Sequence, residues 1–526
     1  MKDTKAENTQ NETKEFRSWA VYLVCLGVAS VFMFAFGLNS PLHTFNPHCD
    51  YQWYMTMGHG IVSGKVIYRD LFDHKGPITY LVFAFACLFP NPQIAIWLIE
   101  ILCVSWFLFF CYRIARKFLS PWLALSVVPL MMMALSANYA RGIEGACVEE
   151  YCLPIFAYGL LTFLDFLIDR KPVSWRRSLT LGICYGILFW TKFTMLEFFV
   201  VPLLIWVIVN IVEHKFLTVV RSGLVMLGGF ALVALPIVIG FAVLGALPDL
   251  FEIYFLVNIG KYGVGNLNHE YNDTWFNFGL SLLLGTTFAL LWFVGLIGFA
   301  INYWRQKSGW LLLIAALSSW LMVGLIGAYL FYYLPLYAYA VLGVVYLIKI
   351  VACMLQNASV IVQRRKFKLL WLSVVAVASF FVALPLATNT VEINQPRDHY
   401  APLVVADILA EYNQTAEQPA TLFCYRMADG GFYNAAGIVP TMKYYAHSSF
   451  SEAGYPAMFQ AFDETIRNQS CDFVVTYPWV YEAKQDFLTQ YYHLYKEGDL
   501  QANTIPYRYF EPSGYEESSL VILFRN

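Results

Sequence analysis

Residues 222–246 read SGLVMLGGFALVALPIVIGFAVLGA and contain no ionisable side chain. A helix needs roughly 20 consecutive apolar residues to cross the hydrocarbon core of a bilayer, so this stretch predicts a membrane-spanning helix. The composition of the whole chain agrees. Of its 526 residues, 59% are hydrophobic and 13% are charged, whereas a soluble domain carries about 25% charged residues. The sequence therefore predicts an integral membrane protein.

Similar apolar stretches follow one another along the chain and predict a polytopic α-helical membrane protein. About eleven spanning helices are expected, near residues 17–38, 92–112, 120–138, 152–168, 178–191, 194–212, 220–246, 277–301, 309–327, 330–350 and 367–387. The apolar run 76–89 is too short to span comfortably, and Pro90 and Pro92 follow it. We therefore expect a re-entrant or juxtamembrane helix at that run.

The loops between these stretches indicate the orientation, because cytoplasmic loops are enriched in Lys and Arg. If the run 76–89 does not span, every basic cluster falls on one side of the membrane. These clusters lie at residues 113–117, 170–177, 215–221, 305–307 and 364–368. The sequence thus predicts a multi-pass cell-membrane protein with a cytoplasmic N-terminal segment, residues 1–16. The loops 39–77, 138–151 and 247–276 then face outward.

Residues 388–526 are more polar and more acidic than the rest of the chain. They contain 8 Lys and Arg against 17 Asp and Glu, whereas residues 1–387 contain 26 and 19. β-Branched and aromatic runs predict strands, at residues 421–425, 472–477 and 519–524. Helices are expected at residues 404–412 and 459–467.

These features predict a transmembrane domain, residues 17–387, and a small extracytoplasmic α/β domain, residues 388–526. The eleven cysteines show no metal-ligand spacing, and most lie in or near apolar spans. Cys424 and Cys471 fall in the outer domain, where a disulfide and two free thiols are equally good expectations.

The first outward loop includes the stretch SPLHTFNPHCDYQWYMTMGHGIVSGKVIYRDLFDHKGP, residues 40–77. Ionisable groups beside hydrocarbon are costly and tend to be retained for pairing or function. Asp50 is predicted to begin a helix, where a carboxylate suits the positive end of the helix dipole. Tyr54 lies on the apolar face of that helix. The alternative is a solvated loop whose charges neutralise one another.

Three glycines, Gly58, Gly60 and Gly64, are predicted to break this helix. An extended segment, residues 66–70, is expected next. The sequence Asp-His-Lys-Gly-Pro at residues 73–77 then enters the short apolar run.

Two further segments place charges at the outer surface. Glu149 and Glu150 enter a helix after the second outward loop, and Lys192 lies at the outer end of another. The alternatives are a solvated carboxylate pair favoured by the helix dipole and a lysine that snorkels. Glu100 and Glu197 lie inside spans, where we expect them to pair with a base or line a site.

This order of residues resembles the first external loop of GT-C glycosyltransferases, the superfamily of protein O-mannosyltransferases and the lipid A aminoarabinose transferase. Their pattern is an acidic residue after the first helix, an aromatic residue, a glycine, and a Lys-Pro-Pro-like signature opening a short helix. Asp50 matches the acidic position, and Lys75 with Pro77 matches the signature. Gly76 departs from it, in a form similar to a bacterial variant.

The other two segments resemble the same superfamily. Glu149 or Glu150 matches a second acidic residue at a loop-to-helix junction. The run Trp190–Phe193 resembles a Thr-Lys-Gly segment, with Phe193 in place of the glycine. The resemblance therefore implies a GT-C-like fold in a bacterial-type plasma membrane.

The resemblance also implies a chemistry, namely transfer of a sugar from a polyprenyl-phosphate donor with inversion at the sugar carbon. A base must accept the proton of the acceptor, and cations must stabilise the leaving phosphate. The implied catalytic residues are Asp50, Glu149 and Glu150. The implied substrate-binding residues are Lys75, Lys192, Arg69, His74, Tyr54 and Arg141.

No cofactor is assigned from the sequence. A divalent metal held by His48 or His74 with the nearby acids stays open, because the spacing of these residues is not diagnostic. The expected partners are the lipid-linked donor, membrane lipid and an unknown envelope acceptor, which is a glycan, a lipid or a protein. Nothing indicates nucleic-acid binding, since no Gly-rich phosphate loop follows a strand.

Other readings stay open. A secondary transporter or lipid-linked-sugar flippase would place its charges at the membrane midplane on matched repeats, whereas these lie in outer loops. A scaffold that displays the outer domain would tolerate replacement of Asp50. The glycines within residues 258–266 suggest either a closing segment or a plain connection. Aromatic residues near Tyr332 and Tyr333 suit an interfacial belt better than a sugar platform.

Overall fold

The computed structural model describes residues 16–136, 145, 147–262, 287–326, 330–356, 365–448, 450–511 and 514–526. Its α-helices are α1 Ser18–Phe36, α2 Cys49–Val62, α3 Pro77–Ala86, α4 Pro92–Ala115, α5 Pro121–Leu125, α6 Val127–Ser136, α7 Val148–Leu167, α8 Trp175–Lys192, α9 Glu197–Val212, α10 Phe216–Val243, α11 Leu247–Leu250, α12 Thr287–Tyr303, α13 Lys307–Ile326, α14 Tyr337–Gln356, α15 Arg365–Ala383, α16 Ala401–Asn413, α17 Phe432–Ala436, α18 Pro456–Arg467, α19 Pro478–Ala483 and α20 Gln485–Leu488. A π-helix spans Phe251–Tyr262. The strands are β1 Leu422–Cys424, β2 Phe473–Thr476, β3 Tyr492–Leu494, β4 Thr504–Glu511 and β5 Gly514–Arg525.

Seven helical segments in the described part of the chain are long and apolar enough to cross a membrane. They are Ser18–Phe36, Pro92–Ala115, Val148–Leu167, Trp175–Val212, Phe216–Val243, Tyr332–Met354 and Lys366–Ala383. Shorter apolar helices lie at Pro77–Ala86, Pro121–Ser136, Leu290–Tyr303 and Lys307–Met322. The predicted helical architecture is confirmed, and the number of about eleven spans stays a prediction.

The segment Trp175–Val212 is interrupted at Lys192. The backbone of Lys192 is extended, with φ −162° and ψ 100°, and a 3-10 turn Phe193–Leu196 follows it. An unbroken helix of 38 residues would be about 57 Å long, nearly twice the hydrocarbon thickness of about 30 Å. The break therefore divides this segment into α8 and α9 and places Lys192 at their junction.

The chain divides into two compact units, of which the first comprises the described parts of Met1–Ser40, Trp97–Val233 and Thr274–Val391. Small residues allow its helices to pack closely. A Cβ at Gly343 of α14 would lie 1.8 Å from the carbonyl oxygen of Leu291 in α12. Only a glycine fits such a backbone approach, which is common between helices in membranes.

The second unit comprises the described parts of Pro41–Ile96, Ala234–Asp273 and Glu392–Asn526. Its C-terminal part contains a five-stranded sheet in which β1 and β2 are parallel. Strand β5 pairs antiparallel with β2, β3 and β4. Every residue of β1 and β2 is buried, as expected for strands that are covered on both faces.

The strands predicted at 421–425, 472–477 and 519–524 correspond to β1, β2 and the second half of β5. The helices predicted at 404–412 and 459–467 correspond to α16 and α18. Strands β3 and β4 were not predicted. The cysteines are free thiols, and Cys424 and Cys471 are both buried.

Two local predictions in the first outward loop are wrong. Gly58 and Gly60 lie inside α2 rather than ending it. A Cβ at Gly58 would lie 2.7 Å from the Phe83 carbonyl carbon, and one at Gly60 would lie 2.2 Å from Leu71 Cδ1. These glycines therefore serve close packing. Gly64 follows the end of α2 and adopts φ +85°.

The segment 66–70 forms a tight turn instead of an extended strand. Tyr68 has φ +69°, its backbone N–H donates to the carbonyl of Leu71 at 2.8 Å, and Asp70 Oδ2 accepts from the N–H of Val66 at 2.7 Å. The turn could not be predicted from the sequence, because the segment contains β-branched and aromatic residues, which favour strands.

Candidate functional site

In the second unit, Asp50 occupies the first turn of α2, as predicted. The ring of His48 caps this helix, since Nδ1 accepts a hydrogen bond from the N–H of Tyr51 at 3.4 Å. The positive end of the helix dipole stabilises a carboxylate at this position. Tyr54, one turn along, is buried and donates its hydroxyl to Asp50 Oδ2 at 3.1 Å.

The turn that leads into α3 brings Asp73, His74 and Lys75 together. Asp73 Oδ1 accepts the backbone N–H of His74 at 2.7 Å and lies 3.2 Å from His74 Nδ1. The Tyr80 hydroxyl donates to Asp73 Oδ2 at 2.7 Å. Asp73 and His74 are buried, whereas Lys75 is partly exposed. Lys75 is therefore presented from a fixed turn.

The protonation states in this turn follow from burial and charge. Burial, followed by the neighbouring Lys75 charge, lowers the pKa of His74. Burial opposes ionisation of Asp73, but the hydrogen bonds from His74 and Tyr80 and the nearby positive charges lower its pKa overall. Near neutral pH the pair is therefore an ionised Asp73 and a neutral His74. Asp50 also interacts electrostatically with His74.

Arg69 is more exposed than the other predicted residues of this loop. Its Nε lies 2.9 Å from Asp70 Oδ1, and its side chain is 44% exposed. Its Nη1 donates to the carbonyl of Leu244 at 3.0 Å. These contacts fix the surface turn, and the part of Arg69 in substrate binding stays a prediction.

The C-terminal region packs on α2 within the same unit. Thr56 Oγ1 donates to Asp429 Oδ2 at 2.6 Å, and Asn434 Nδ2 donates to Gln52 Oε1 at 2.9 Å. The rings of Trp53 and Tyr445 lie 5.3 Å apart. The region therefore holds the helix that carries Asp50 in its first turn.

A second contact reaches the lysine-bearing turn. The backbone N–H of Phe72 donates to the Lys443 carbonyl at 2.9 Å. Lys443 Nζ in turn lies 3.8 Å from Asp249 Oδ1. The ring of Phe450 meets the ring of His74 edge-on at 5.4 Å. Lys443 and Phe450 thus contact this part of the loop.

In the first unit, Lys192 forms a buried ion pair with Glu149. Lys192 Nζ lies 2.5 Å from Glu149 Oε1, and the two side chains are 12% and 2% exposed. Lys192 Nζ also lies 3.4 Å from the centre of the Tyr332 ring, a cation–π distance. Glu197 interacts electrostatically with Lys192 and Glu149. Neither the solvated pair nor the snorkelling lysine describes this arrangement.

A second buried carboxylate group lies in the same unit. Glu150 is fully buried in the first turn of α7. Asn39 Nδ2 donates to Glu100 Oε1 at 3.0 Å and to the carbonyl of Gly145 at 2.5 Å. Asn39 therefore ties the end of the first helix to α4 and to the residues before α7. Arg141 lies outside the described residues.

Each unit thus gathers its own predicted residues. Asp50, Tyr54, His74 and Lys75 belong to the second unit, whereas Glu149, Glu150 and Lys192 belong to the first. The residues that hold them were not predicted as site residues, and they are Asp73, Tyr68, Tyr80, Asn258 and Tyr332. Tyr332 was assigned instead to an interfacial belt, because aromatic residues near a membrane surface are common.

Parts of this chain are similar to known proteins. The sequence model of the family described as dolichyl-phosphate-mannose-protein mannosyltransferase matches residues 74–239. The matched range includes His74, Lys75, Glu149 and Lys192. A search for similar curated proteins found no match.

Solved structures match over nearly the whole chain. ArnT from Cupriavidus metallidurans bound to undecaprenyl phosphate is 15% identical with a TM-score of 0.56, covering 95% of this chain and 97% of that one. ArnT in the apo state is 13% identical with a TM-score of 0.54, covering 96% and 97%. The Archaeoglobus fulgidus oligosaccharyltransferase in complex with Zn and sulfate is 12% identical with a TM-score of 0.50, covering 94% and 73%.

The chain has the fold of these membrane glycosyltransferases, and residues 74–239 resemble the mannosyltransferase family. The fold match and the family match to residues 74–239 agree with the resemblance carried by Asp50, Lys75 and Pro77. The predicted GT-C-like fold is therefore confirmed.

A metal site is a separate question. In the described part of the chain, no group of three or more His, Cys, Asp or Glu side chains is arranged to hold a metal ion. His48 caps α2, and His74 packs against Asp73 and Phe450.

Proposed function

We propose that this protein is an inverting glycosyltransferase that moves a sugar from a polyprenyl-phosphate donor to an acceptor at the outer face of the membrane. One observation carries the proposal. The second unit holds a carboxylate at a helix start, Asp50, together with a fixed turn that presents Lys75, and Asp50 interacts electrostatically with His74 of that turn. A base and a cation are the two groups that this reaction requires.

The reaction balances with these groups. The acceptor oxygen or nitrogen forms a bond to the anomeric carbon of the sugar as its proton passes to Asp50. The bond between that carbon and the phosphate oxygen breaks, and the phosphate leaves with the electron pair. Attack opposite the leaving group inverts the anomeric configuration. Lys75 stabilises the negative charge that develops on the phosphate.

Tyr54 has a supporting part in this proposal. Its hydroxyl donates to Asp50 Oδ2, which leaves Oδ1 to accept the acceptor proton. The ionised Asp73 and the neutral His74 keep the turn close to electrically balanced beside Lys75. These contacts orient the Asp50 carboxylate and hold the turn that carries Lys75.

The first unit contributes a further cation and further carboxylates to the proposal. Lys192 is proposed to bind phosphate oxygen, because the run Trp190–Phe193 resembles the Thr-Lys-Gly segment of the superfamily; its ammonium group lies against Glu149 and the Tyr332 ring. Glu149 and Glu150 are proposed to position the acceptor or the sugar, or to act as a second base. Arg69 and Arg141 remain proposed phosphate contacts.

The donor class is chosen from two considerations. A polyprenyl tail keeps a donor in the bilayer, and a phosphate at the membrane surface needs the cations named above. The undecaprenyl phosphate bound to the similarly folded ArnT supports testing this lipid first. The sugar and the acceptor are left to the experiment.

The test uses the full-length protein in lipid nanodiscs with a panel of radiolabelled polyprenyl-phosphate sugars. Donor binding and release of labelled sugar to water or to envelope extract are both measured. The wild type should turn over one donor. Asp50→Asn should reduce turnover at least about 100-fold while retaining donor binding, and Lys75→Ala should weaken donor binding.

Matched controls come from the same unit. Asp407→Asn changes an exposed carboxylate that pairs with Arg397, and Lys65→Ala changes another lysine of the same loop. Both should keep wild-type turnover. Undiminished turnover by Asp50→Asn would rule out Asp50 as the base. Donor binding with transfer across the bilayer and no released sugar would instead indicate a flippase.

A further inference from the structure

The turn 73–75 is held by side chains rather than by regular secondary structure. The backbone N–H of Lys75 donates to the Tyr80 hydroxyl oxygen at 2.9 Å. The Tyr68 hydroxyl donates to the carbonyl of Lys75 at 2.5 Å. Both polar groups of the Lys75 backbone are therefore bound by tyrosines, one before it in sequence and one after it.

The neighbouring peptide is fixed in the same way. The N–H of His74 donates to Asp73 Oδ1 at 2.7 Å. Asn258 Nδ2 donates to the carbonyl of His74 at 2.7 Å and to the carbonyl of Tyr254 at 2.9 Å. Four consecutive backbone groups are thus bound by four side chains. A buried backbone group without a partner costs free energy. Any other conformation of the turn would break these four hydrogen bonds, so they favour the observed one.

The two tyrosines are themselves locked. Tyr80 is fully buried and donates its hydroxyl proton to Asp73 Oδ2 at 2.7 Å, so its oxygen lone pair faces the Lys75 N–H. The ring of Tyr68 is fully buried and stacks on Phe241 at 5.6 Å with an interplanar angle of 22°. Neither hydroxyl is therefore free to rotate away from Lys75.

Tyr68 also carries backbone strain. Its φ of +69° lies in the left-handed region, which is unfavourable for a residue with a Cβ. Strained residues persist where the surrounding structure over-determines them, and they concentrate at functional sites. Here the strained backbone sets the Tyr68 hydroxyl against the Lys75 carbonyl.

We infer that Tyr80 and Tyr68 are positioning residues that aim the Lys75 ammonium group at the donor phosphate. This inference rests on the proposed function, in which Lys75 binds that phosphate. When both backbone groups of Lys75 are fixed, the position and direction of its Cα–Cβ bond are fixed too. The partly exposed side chain therefore always extends from the same place. A cation held in advance loses little freedom on binding and stabilises a phosphate more effectively.

The test measures binding of radiolabelled undecaprenyl phosphate to the full-length protein in nanodiscs, in a double-mutant cycle. Tyr80→Phe removes the acceptor for the Lys75 N–H and the donor to Asp73. We expect it to raise Kd about tenfold and to flatten the salt dependence of Kd, because the ammonium group no longer sits in place. Tyr80→Phe in the Lys75→Ala background should add little, since coupled residues are not additive.

Two further variants separate positioning from stability. Tyr68→Phe removes only the hydrogen bond to the Lys75 carbonyl and should weaken binding in the same direction. Tyr433→Phe removes another fully buried hydroxyl, which donates to the Tyr445 carbonyl at 2.8 Å. It should lower the unfolding temperature as much as Tyr80→Phe while leaving Kd unchanged.

The outcomes are distinct. If Tyr80→Phe raises Kd by the same factor in the wild-type and Lys75→Ala backgrounds, Tyr80 acts independently of Lys75. That result would overturn the inference. The same conclusion follows if both tyrosine variants bind like the wild type while Lys75→Ala binds weakly. If Lys75→Ala itself binds like the wild type, the proposed phosphate role of Lys75 fails first.

Discussion

Thr56 Oγ1 donates a hydrogen bond of 2.6 Å to Asp429 Oδ2, although the two residues are 373 positions apart in sequence. Both side chains are buried. Asp429 Oδ1 accepts the N–H groups of Gly431 and Phe432 at 2.9 and 3.1 Å. Asp429 therefore caps α17 with one oxygen and binds α2 with the other, which joins the C-terminal region to the helix that carries Asp50.

The first prediction concerns this bond. Thr56→Val keeps the shape of the side chain and removes the donor to Asp429, leaving one oxygen of a buried carboxyl group unpaired. We expect a loss of about 1–3 kcal/mol in the free energy of unfolding, measured by chemical denaturation in detergent. Thr415→Val, at an exposed threonine, should change it little. Equal stabilities of the two variants would show that the Thr56 bond contributes nothing.

The second prediction concerns pH. Burial raises the pKa of Asp429 from 3.8 to about 6, against the opposing hydrogen bonds from Thr56, Gly431 and Phe432. Because the folded-state pKa lies above the unfolded one, the folded state binds the proton more tightly between these values. This contribution to stability is complete below about pH 4 and is lost as the pH rises through about 6.

The size of this effect follows from the shift. About two pKa units correspond to roughly 3 kcal/mol, so the stability of the wild type should fall by that order relative to Asp429→Asn between pH 4 and 6. The measurement is thermal or chemical unfolding of both proteins at several pH values. Parallel pH profiles for the two proteins would contradict the assignment to Asp429.

The third prediction concerns the contact between α2 and α3. Gly58→Ala would place a Cβ 2.7 Å from the carbonyl carbon of Phe83 and 2.8 Å from the nitrogen of Ala84. These are backbone atoms, so the two helices must move apart. We expect a lower unfolding temperature and weaker donor binding, because α3 begins directly after the turn that carries Lys75.

A matched glycine gives the control for that variant. Gly260 lies in the π-helix, and a Cβ there would meet no atom of the described residues within 4 Å. Replacing an unpacked helical glycine by alanine favours the folded state by up to about 1 kcal/mol. Gly260→Ala should therefore leave the unfolding temperature unchanged or raise it. A Gly58→Ala protein as stable as Gly260→Ala would mean that α2 and α3 do not require the glycine.

Much of the fold could be predicted because its signals are local. A membrane-spanning helix can be recognised from one continuous apolar stretch. The position of Asp50 at the start of a helix likewise follows from its immediate neighbours in sequence. Strands β1 and β2 are short β-branched and aromatic runs. Strand β4 was not predicted because Pro506 and Arg508 interrupt such a run. Its extended conformation is instead stabilised by antiparallel pairing with β5.

The site could be predicted only in part, because its supporting contacts are long-range. Asn258 reaches the His74 carbonyl across 184 positions, and no local pattern encodes such a contact. The burial of Glu149 likewise depends on helices that are distant in sequence. The resemblance identified the charged residues, whereas the tyrosines that hold Lys75 needed the structure.

The last prediction concerns the buried pair of the first unit. Glu149→Gln removes the carboxylate that Lys192 contacts, and Lys192→Met removes the cation that Glu149 contacts, so each single change should cost roughly 3–5 kcal/mol. The double variant removes both charges. It should therefore recover much of the stability in an unfolding assay, while all three variants lose sugar transfer if the pair serves catalysis.

The matched control for the lysine change is Lys215→Met in the same unit. Lys215 lies 2.7 Å from Glu213, but the two side chains are 57% and 40% exposed, so solvent screens the pair. Lys215→Met should leave both stability and activity at wild-type values. If the double variant of Glu149 and Lys192 is no more stable than either single variant, the two buried charges do not stabilise each other in the folded protein. Full activity in that double variant would remove the pair from the proposed reaction, leaving Asp50 and Lys75 to carry it.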